Sequence, residues 1–449
     1  MTHAPWWMAH TGIGDAIIFV VPLLLIGEHL VGGAAARNGH SASRPAPVAL
    51  RRAYLSLLVL ALAIAGAIVG RIIVHTILVP PGWDYQALWL YGHVAVSGQN
   101  PYLPGPYHAL GGPGPFVPDF AAEVLDVGAV YPPPTLLLFA TIGWLPLRVA
   151  VIPWMIVQTA AFVGVVIGLW RIFLPQRGGE GLAFVAALAL LLPATDATFG
   201  HGQVNFLAVL CVLGAWRARD KAVSGALLVG AAIVKLLYGA LWLYPLLRRK
   251  WPPVLGIAAA SVVACVASLA AFGIVPFLTY IRDNPVVHRM PSYYFSTFVN
   301  QSLLGAALRL HAGRLPTYGP PTGNALYLAA SVVVAVVTAW GVIRQPRTAD
   351  GEDVAFVLLI LAGMLIYPWT LSNYYVLLLV PMCFLWSRRP MRPVGVVWTI
   401  VALSLVYPVT HIANGLYAII AALLLWATVS VIALAAGRPA HAMTNPLLR

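Results

Sequence analysis

The chain has 449 residues, 61% of them hydrophobic and only 9% charged, and its mean hydropathy is +0.87. Those values exclude an ordinary soluble globular enzyme and specify an all-α polytopic membrane protein. The formal charge of +13 does not call for a nucleic-acid partner, because Lys and Arg fall in short clusters between apolar runs, as membrane topology requires.

Apolar runs recur at roughly 16–34, 53–79, 132–147, 149–172, 182–199, 203–217, 222–247, 253–273, 323–343, 354–371, 374–387, 394–411 and 415–436. Several fall short of the ~20 residues that a crossing needs. The basic clusters include Arg171 and Arg177, then Arg217, Arg219 and Lys221, then Arg248 to Lys250, and then Arg388, Arg389 and Arg392. For these to share the cytoplasmic side, two segments must turn back within the membrane. The Pro-rich 131–147 stretch and the 222–247 stretch, broken near Lys235, are the natural choices. The expectation is about eleven to fourteen transmembrane or re-entrant helical segments. Residues 1–52 read as an N-terminal apolar segment and basic cytoplasmic loop, 53–437 as the transmembrane body, and 438–449 as a tail. The 81–131 and 274–322 loops lie on the non-cytoplasmic face.

The first of these loops opens on Pro81-Gly82-Trp83-Asp84-Tyr85. Asp84 stands where a helix would start, and Tyr85, Leu88, Trp89, Gly92 and Val96 follow at helical spacing, a stripe suited to a membrane surface. Gly98 and Asn100-Pro101 end the run. Asp84 is either a simple N-cap or a functional acid. Asp119, Glu123 and Asp126 lie further along and have no assigned role; they leave room for a divalent metal, although no cofactor is expected.

Tyr131-Pro132-Pro133-Pro134 reads as a rigid helix start. His201-Gly202-Gln203-Val204-Asn205 places three hydrogen-bonding side chains around a glycine, suited either to hydroxyl or phosphate recognition or to a capped turn. Lys235 interrupts an apolar run, where a cation is costly unless it is paired or reaches water. Arg71 is a weaker case of the same kind. The 274–322 loop mixes Arg282, His288, Arg289, Asn300 and Gln301 with aromatics and reads as interfacial. Asn373-Tyr374-Tyr375 reads as an interface anchor. Cys211, Cys265 and Cys383 lack pairing or metal spacing. There is no phosphate-binding Gly-rich loop followed by Lys-Ser/Thr, no His-Glu-x-x-His and no Gly-x-Ser-x-Gly.

The ordered set Asp84, Gly98-Gln99-Asn100-Pro101-Tyr102, Tyr131-Pro132-Pro133, Gly202-Gln203-Val204-Asn205, Lys235 and Asn300-Gln301-Ser302-Leu303 resembles glycosyltransferase family 87, over roughly residues 53–430. The resemblance implies a GT-C fold in a bacterial-type plasma membrane. It also implies inverting transfer of a sugar, with mannose favoured, from a polyprenyl-phosphate donor to a lipid or glycan acceptor on the non-cytoplasmic face. In that setting Asp84 would take the acceptor's proton, and Lys235 with Arg282, His288 or Arg289 would hold the donor phosphate. Trp83, Tyr85, Asn100, Tyr102, Tyr131, His201, Gln203, Asn205, Asn300 and Gln301 would contact sugar or acceptor. The alternative is a transporter or flippase for a lipid-linked or anionic substrate, with intramembrane Lys235 and Arg71 on its pathway, although the polar residues gather on one face rather than at mid-depth.

Overall fold

A computed structural model of the chain describes residues 48–78, 83–110, 126–310, 315–388 and 417–436. The expected spans at 16–34 and 394–411, and Asp119 and Glu123, lie outside the described residues. Within them the protein is an all-α bundle. Helix α1 (Val48–Leu78) is followed by α2 (Trp83–Val96), α3 (Pro104–Leu110), α4 (Pro133–Gly143) and α5 (Leu147–Phe173). Next come α6 (Gly178–Leu191), α7 (Pro193–Gly200), α8 (Asn205–Arg217) and α9 (Ala222–Val234). After a 3-10 turn over Leu236–Trp242 the chain continues as α10 (Leu243–Leu247), α11 (Trp251–Phe272), α12 (Ile274–Arg282), α13 (Pro285–His288) and α14 (Leu303–Leu310). The last described elements are α15 (Ala325–Arg344), α16 (Ala349–Ile366), a 3-10 turn over Ser372–Leu378, α17 (Leu379–Ser387) and α18 (Tyr417–Ala436).

Four of these helices, α1, α5, α11 and α15, are long and apolar enough to cross a membrane. A fifth crossing is available if α6 and α7 act as one span bent by 64° at their break. Pro193 opens α7 and causes that bend, since it has no N–H to continue the helical ladder from α6. This is an integral membrane protein.

The basic clusters gather at one end of the bundle. Arg51 pairs with Glu180, and Arg219 with Asp353 at 2.5 Å. Arg248 pairs with Glu352 at 2.7 Å and Arg388 with Asp350 at 3.3 Å. Lys250 meets Asp220 at 2.6 Å, so the 222–247 stretch leaves this end and returns to it, as a segment that turns back must. Its turning point is Lys235, where the backbone becomes extended (φ −150°, ψ 119°) between α9 and the 3-10 turn. At helical rise the 13 residues of α9 put Lys235 about 20 Å from the basic end.

Helix α4 also fails to cross. Trp89 Nε1 on α2 donates to the Leu145 carbonyl at 2.9 Å, and Tyr91 meets Tyr131 ring to ring, so both ends of α4 lie along α2. The two helices touch backbone to backbone: a Cβ on Gly92 would fall 2.1 Å from the Phe139 carbonyl oxygen. This close contact corrects the reading of the α2 stripe as membrane-facing. Tyr85 and Leu88 are buried in the bundle, and only Val96 of that set is strongly exposed. Gly98 does close the helix, at φ +75°.

Helix α16 starts five residues before the expected 354. The Thr348 hydroxyl accepts from Gly351 N at 3.2 Å, and Asp350 and Glu352 lie in the first turn, where the helix dipole favours anions.

Candidate active site

The end opposite the basic clusters is built around the start of α2. Asp84 lies in its first turn with its side chain 35% exposed. Tyr85 N donates to the His201 carbonyl at 2.9 Å, and Trp154 Nε1 donates to the Gly202 carbonyl at 2.8 Å, so the turn between α7 and α8 is pinned against α2 and α5. Only glycine fits at 202: φ is +64°, and a Cβ there would lie 2.6 Å from the Tyr85 Cβ. That fit sets His201 Nδ1 3.7 Å from Asp84 Oδ2, with 30% of the imidazole side chain exposed.

Lys235 approaches the same place from below. It is only 3% exposed, and its ammonium donates to the phenol oxygens of Tyr131 (2.9 Å) and Tyr374 (3.0 Å). Among the described residues it forms no ion pair. The Asp84 carboxylate acts electrostatically on Lys235 and on the phenols of Tyr91, Tyr131 and Tyr374 without a direct bond to the lysine. Tyr91, two turns along α2 from Asp84, packs on the Tyr131 ring whose hydroxyl accepts from Lys235, so a partly exposed carboxylate and a buried cation belong to one end of the bundle. This pair can accept a proton on one side and stabilise an anion on the other.

The remaining expected residues separate into two groups. Asn300 and Gln301 are fully buried, and their amides are occupied by the protein's own backbone. Asn300 donates to the Phe295 and Pro368 carbonyls at 2.8 and 3.0 Å. Gln301 donates to the Phe298 carbonyl and accepts from Ile419 N. Tyr85 and Tyr102 are likewise fully buried, their hydroxyls donating to the carbonyls of Leu147 (3.4 Å) and Tyr131 (2.8 Å). No face of any of these four, all expected to contact sugar or acceptor, is open in this structure. Gln203 and Asn205 are also buried, and Asn205 donates to Thr198 Oγ1 and the Asn373 carbonyl. Their amide oxygens have no partner among the described residues. Asn100 ties the turn after α2 to α12 by donating to Thr279 Oγ1 at 2.8 Å.

Arg289 Nη2 donates to the Tyr102 carbonyl at 2.6 Å and to Asp283 at 2.9 Å. Arg282 and His288 are exposed on α12 and α13. The Trp83 side chain lies outside the described residues. Arg71 is exposed on α1 rather than lining the bundle interior. Among the described residues no three His, Cys, Asp or Glu side chains converge as metal ligands. Asp126 pairs with His108 at 3.3 Å.

Two residues escaped the sequence reading. Tyr374 is 8% exposed and bonded to Lys235, not an interface anchor. Asp196 sits in the first turn of α7 with one carboxylate oxygen buried and without a partner among the described residues. An acid within an apolar run was its signal, and the run of small residues around it hid it.

The family model for glycosyltransferase family 87 matches residues 129–372, more than half of the chain. The chain belongs to glycosyltransferase family 87. Tyr131, His201, Lys235 and Asn300 fall within the matched stretch and Asp84 lies before it. Among characterised relatives, this family 87 chain is 27% identical to a polyprenol-phosphate-mannose-dependent α-(1-2)-phosphatidylinositol mannoside mannosyltransferase of Mycolicibacterium smegmatis, over 67% of the chain and 69% of the relative. It is 27% identical to the corresponding pentamannoside mannosyltransferase of Mycobacterium tuberculosis, over 76% and 73%. An α-(1->3)-arabinofuranosyltransferase of M. tuberculosis matches at 29% over 51% of each chain. No solved structure matches significantly. The protein is thus a membrane-embedded glycosyltransferase.

Proposed function

We propose that this transferase moves a sugar, mannose in the first instance, from a polyprenyl-phosphate carrier to a hydroxyl of a lipid or glycan acceptor, with inversion at the anomeric carbon. The mannosyltransferase relatives carry that donor in their names and align over about two thirds of the chain or more. The observation that carries the reading at residue level is a partly exposed Asp84 at the same end of the bundle as a buried Lys235 that forms no ion pair among the described residues.

The chemistry follows from the leaving group. A glycosidase needs a second carboxyl because its departing alkoxide must be protonated. A lipid phosphate leaves as a stable anion, so one base and one cation are enough. The acceptor oxygen bonds to the anomeric carbon as that carbon's bond to the phosphate oxygen breaks. The electron pair stays on the phosphate, a diester monoanion becoming a monoester dianion, and the acceptor's proton passes to Asp84. Lys235 stabilises the charge that builds on the phosphate. His201 faces Asp84 and orients it or the acceptor hydroxyl. Arg282 attracts the headgroup before it reaches Lys235, as an exposed cation does for an anion, and the exposed His288 offers it a hydrogen bond.

In this reading residues 53–437 form the functional unit, and the Asp84 end faces away from the cytoplasm in a bacterial-type plasma membrane. The basic clusters at the opposite end support that orientation. A transport reading loses its second pathway residue, since Arg71 is exposed on α1.

The test is Asp84→Asn in purified full-length protein with labelled lipid-linked sugar. Asparagine keeps the shape and removes the base, so turnover drops by roughly 10²-fold or more while donor binding persists. Wild-type turnover in that variant would sink the assignment of Asp84.

A further inference from the structure

An ammonium group has three N–H donors and no acceptor. Two of those on Lys235 go to the Tyr131 and Tyr374 oxygens, at 2.9 and 3.0 Å. The nitrogen also stands over both rings, 5.4 Å from one centroid and 4.3 Å from the other. Ring faces and phenol oxygens compensate a buried cation only in part, because neither carries a full negative charge. The third ammonium proton has no acceptor among the described residues.

The phenols are in the same position. Each oxygen receives a proton from Lys235, so its own O–H must point elsewhere. Among the described residues neither hydroxyl donates to any acceptor. Both rings are held firmly, which fixes where those protons can go. Tyr131 packs edge-on against Phe139, with centroids 5.2 Å apart, and its carbonyl accepts from Tyr102. Tyr374 is 8% exposed, and its backbone N donates to Leu371 at 2.9 Å. Three donors from three separate segments, one on the nitrogen and one on each phenol beside it, therefore lack an acceptor among the described residues. Their complement is a compact group with several anionic oxygens and no proton to offer.

Building on the reading of Lys235 as the phosphate site, we propose that Tyr131 and Tyr374 bind the donor phosphate directly, each hydroxyl donating to a non-bridging oxygen beside the ammonium. Both bonds strengthen as the bond to the sugar breaks, since the phosphate gains a full charge at that moment. The clamp has no effect on a neutral isoprenoid. Its selectivity is for the anionic head of the carrier.

The experiment measures farnesyl phosphate and farnesol binding to full-length protein in nanodiscs, together with turnover. Tyr131→Phe and Tyr374→Phe are each expected to weaken farnesyl phosphate about tenfold and leave farnesol unchanged. The same variants lower kcat by a similar factor, with the acceptor KM unmoved. A double-mutant cycle with Lys235→Met separates direct binding from mere support of the lysine. If the phenols touch phosphate, Tyr374→Phe still weakens farnesyl phosphate at least several-fold in the Lys235→Met background. No further loss there overturns the proposal, as does wild-type binding by both single phenylalanine variants. Wild-type farnesyl phosphate binding by Lys235→Met overturns the phosphate site itself. Asp84→Asn serves as the separate control: normal turnover in that variant removes the base while leaving a positive cycle, and hence the clamp, standing.

Discussion

The two ends of this bundle treat charge in opposite ways. At the basic end each described acid has a cation: Glu180 with Arg51, Asp220 and Glu352 with Lys250, Glu352 also with Arg248, Asp353 with Arg219 and Asp350 with Arg388. Away from that end Arg289 pairs with Asp283 and His108 with Asp126, but the two groups of the site are left apart: among the described residues Lys235 is buried among phenols without an ion pair, and Asp84 has only His201 at 3.7 Å. Fully paired charges fix a structure, because any rearrangement strands one of them. Charges held apart keep their electrostatic demand for something that arrives later. The contrast teaches that conserving paired charge is the work of the scaffold here, and withholding pairs is the work of the site.

The comparison is broken most severely at Arg248. Its guanidinium is 4% exposed and donates to Glu352 and to the carbonyls of Val342, Gln345 and Pro346, tying the chain after the returning segment to α15 and α16. Arg248→Ala orphans three carbonyls and part of a buried carboxylate, an expected cost of about 3–5 kcal/mol. The check is a large fall in thermal midpoint in detergent, with normal activity per folded molecule at low temperature. Asp84→Asn should show the reverse pattern, an unchanged or raised midpoint with turnover lower by roughly 10²-fold. If both variants lose stability equally, the division between the two ends is wrong.

Much of this division could be read from the chain before its fold. Clusters of Arg and Lys between apolar runs gave the basic end, and the interruption at Lys235 gave the turning point, because a lone cation in an apolar run has few structural explanations. Asp84 could be placed at a helix start by the glycine and proline around it. The pairing itself was not legible. Asp350, Glu352 and Asp353 read as loop because acids are costly in a membrane helix, and only the fold shows that Arg388, Arg248 and Arg219 come from three other segments to meet them. Asn300 and Gln301 are ambiguous in a different way. A polar pair looks the same in sequence whether it faces a ligand or satisfies buried carbonyls, and here it does the latter. Tyr374 was hidden by its aromatic neighbours, whose interface role is the common one.

Gly202→Ala gives a smaller, mixed effect. The added methyl meets the Tyr85 side chain, and φ of +64° is unfavourable for alanine, so a loss of about 1–3 kcal/mol is expected. The same strain pushes the turn away from α2 and shifts His201 relative to Asp84. Activity per folded molecule should therefore fall as well, which distinguishes this position from Arg248, where stability alone changes. Retained activity together with a lower midpoint would show that the His201–Asp84 geometry is not needed.

The mildest perturbation is also at the basic end and asks whether every pair there contributes. Arg51 and Glu180 join the start of α1 to the start of α6, but their side chains are 59% and 36% exposed. An ion pair in water gains little, since solvent already stabilises both charges and holding two long side chains still costs entropy. Arg51→Ala should leave both thermal midpoint and turnover at wild-type values. A clear drop in midpoint would mean that this pair is shielded, which in a membrane protein places it at the headgroup layer and not in bulk water. Titrating salt then decides between the two: a pair in water weakens as ionic strength rises, and a shielded one does not.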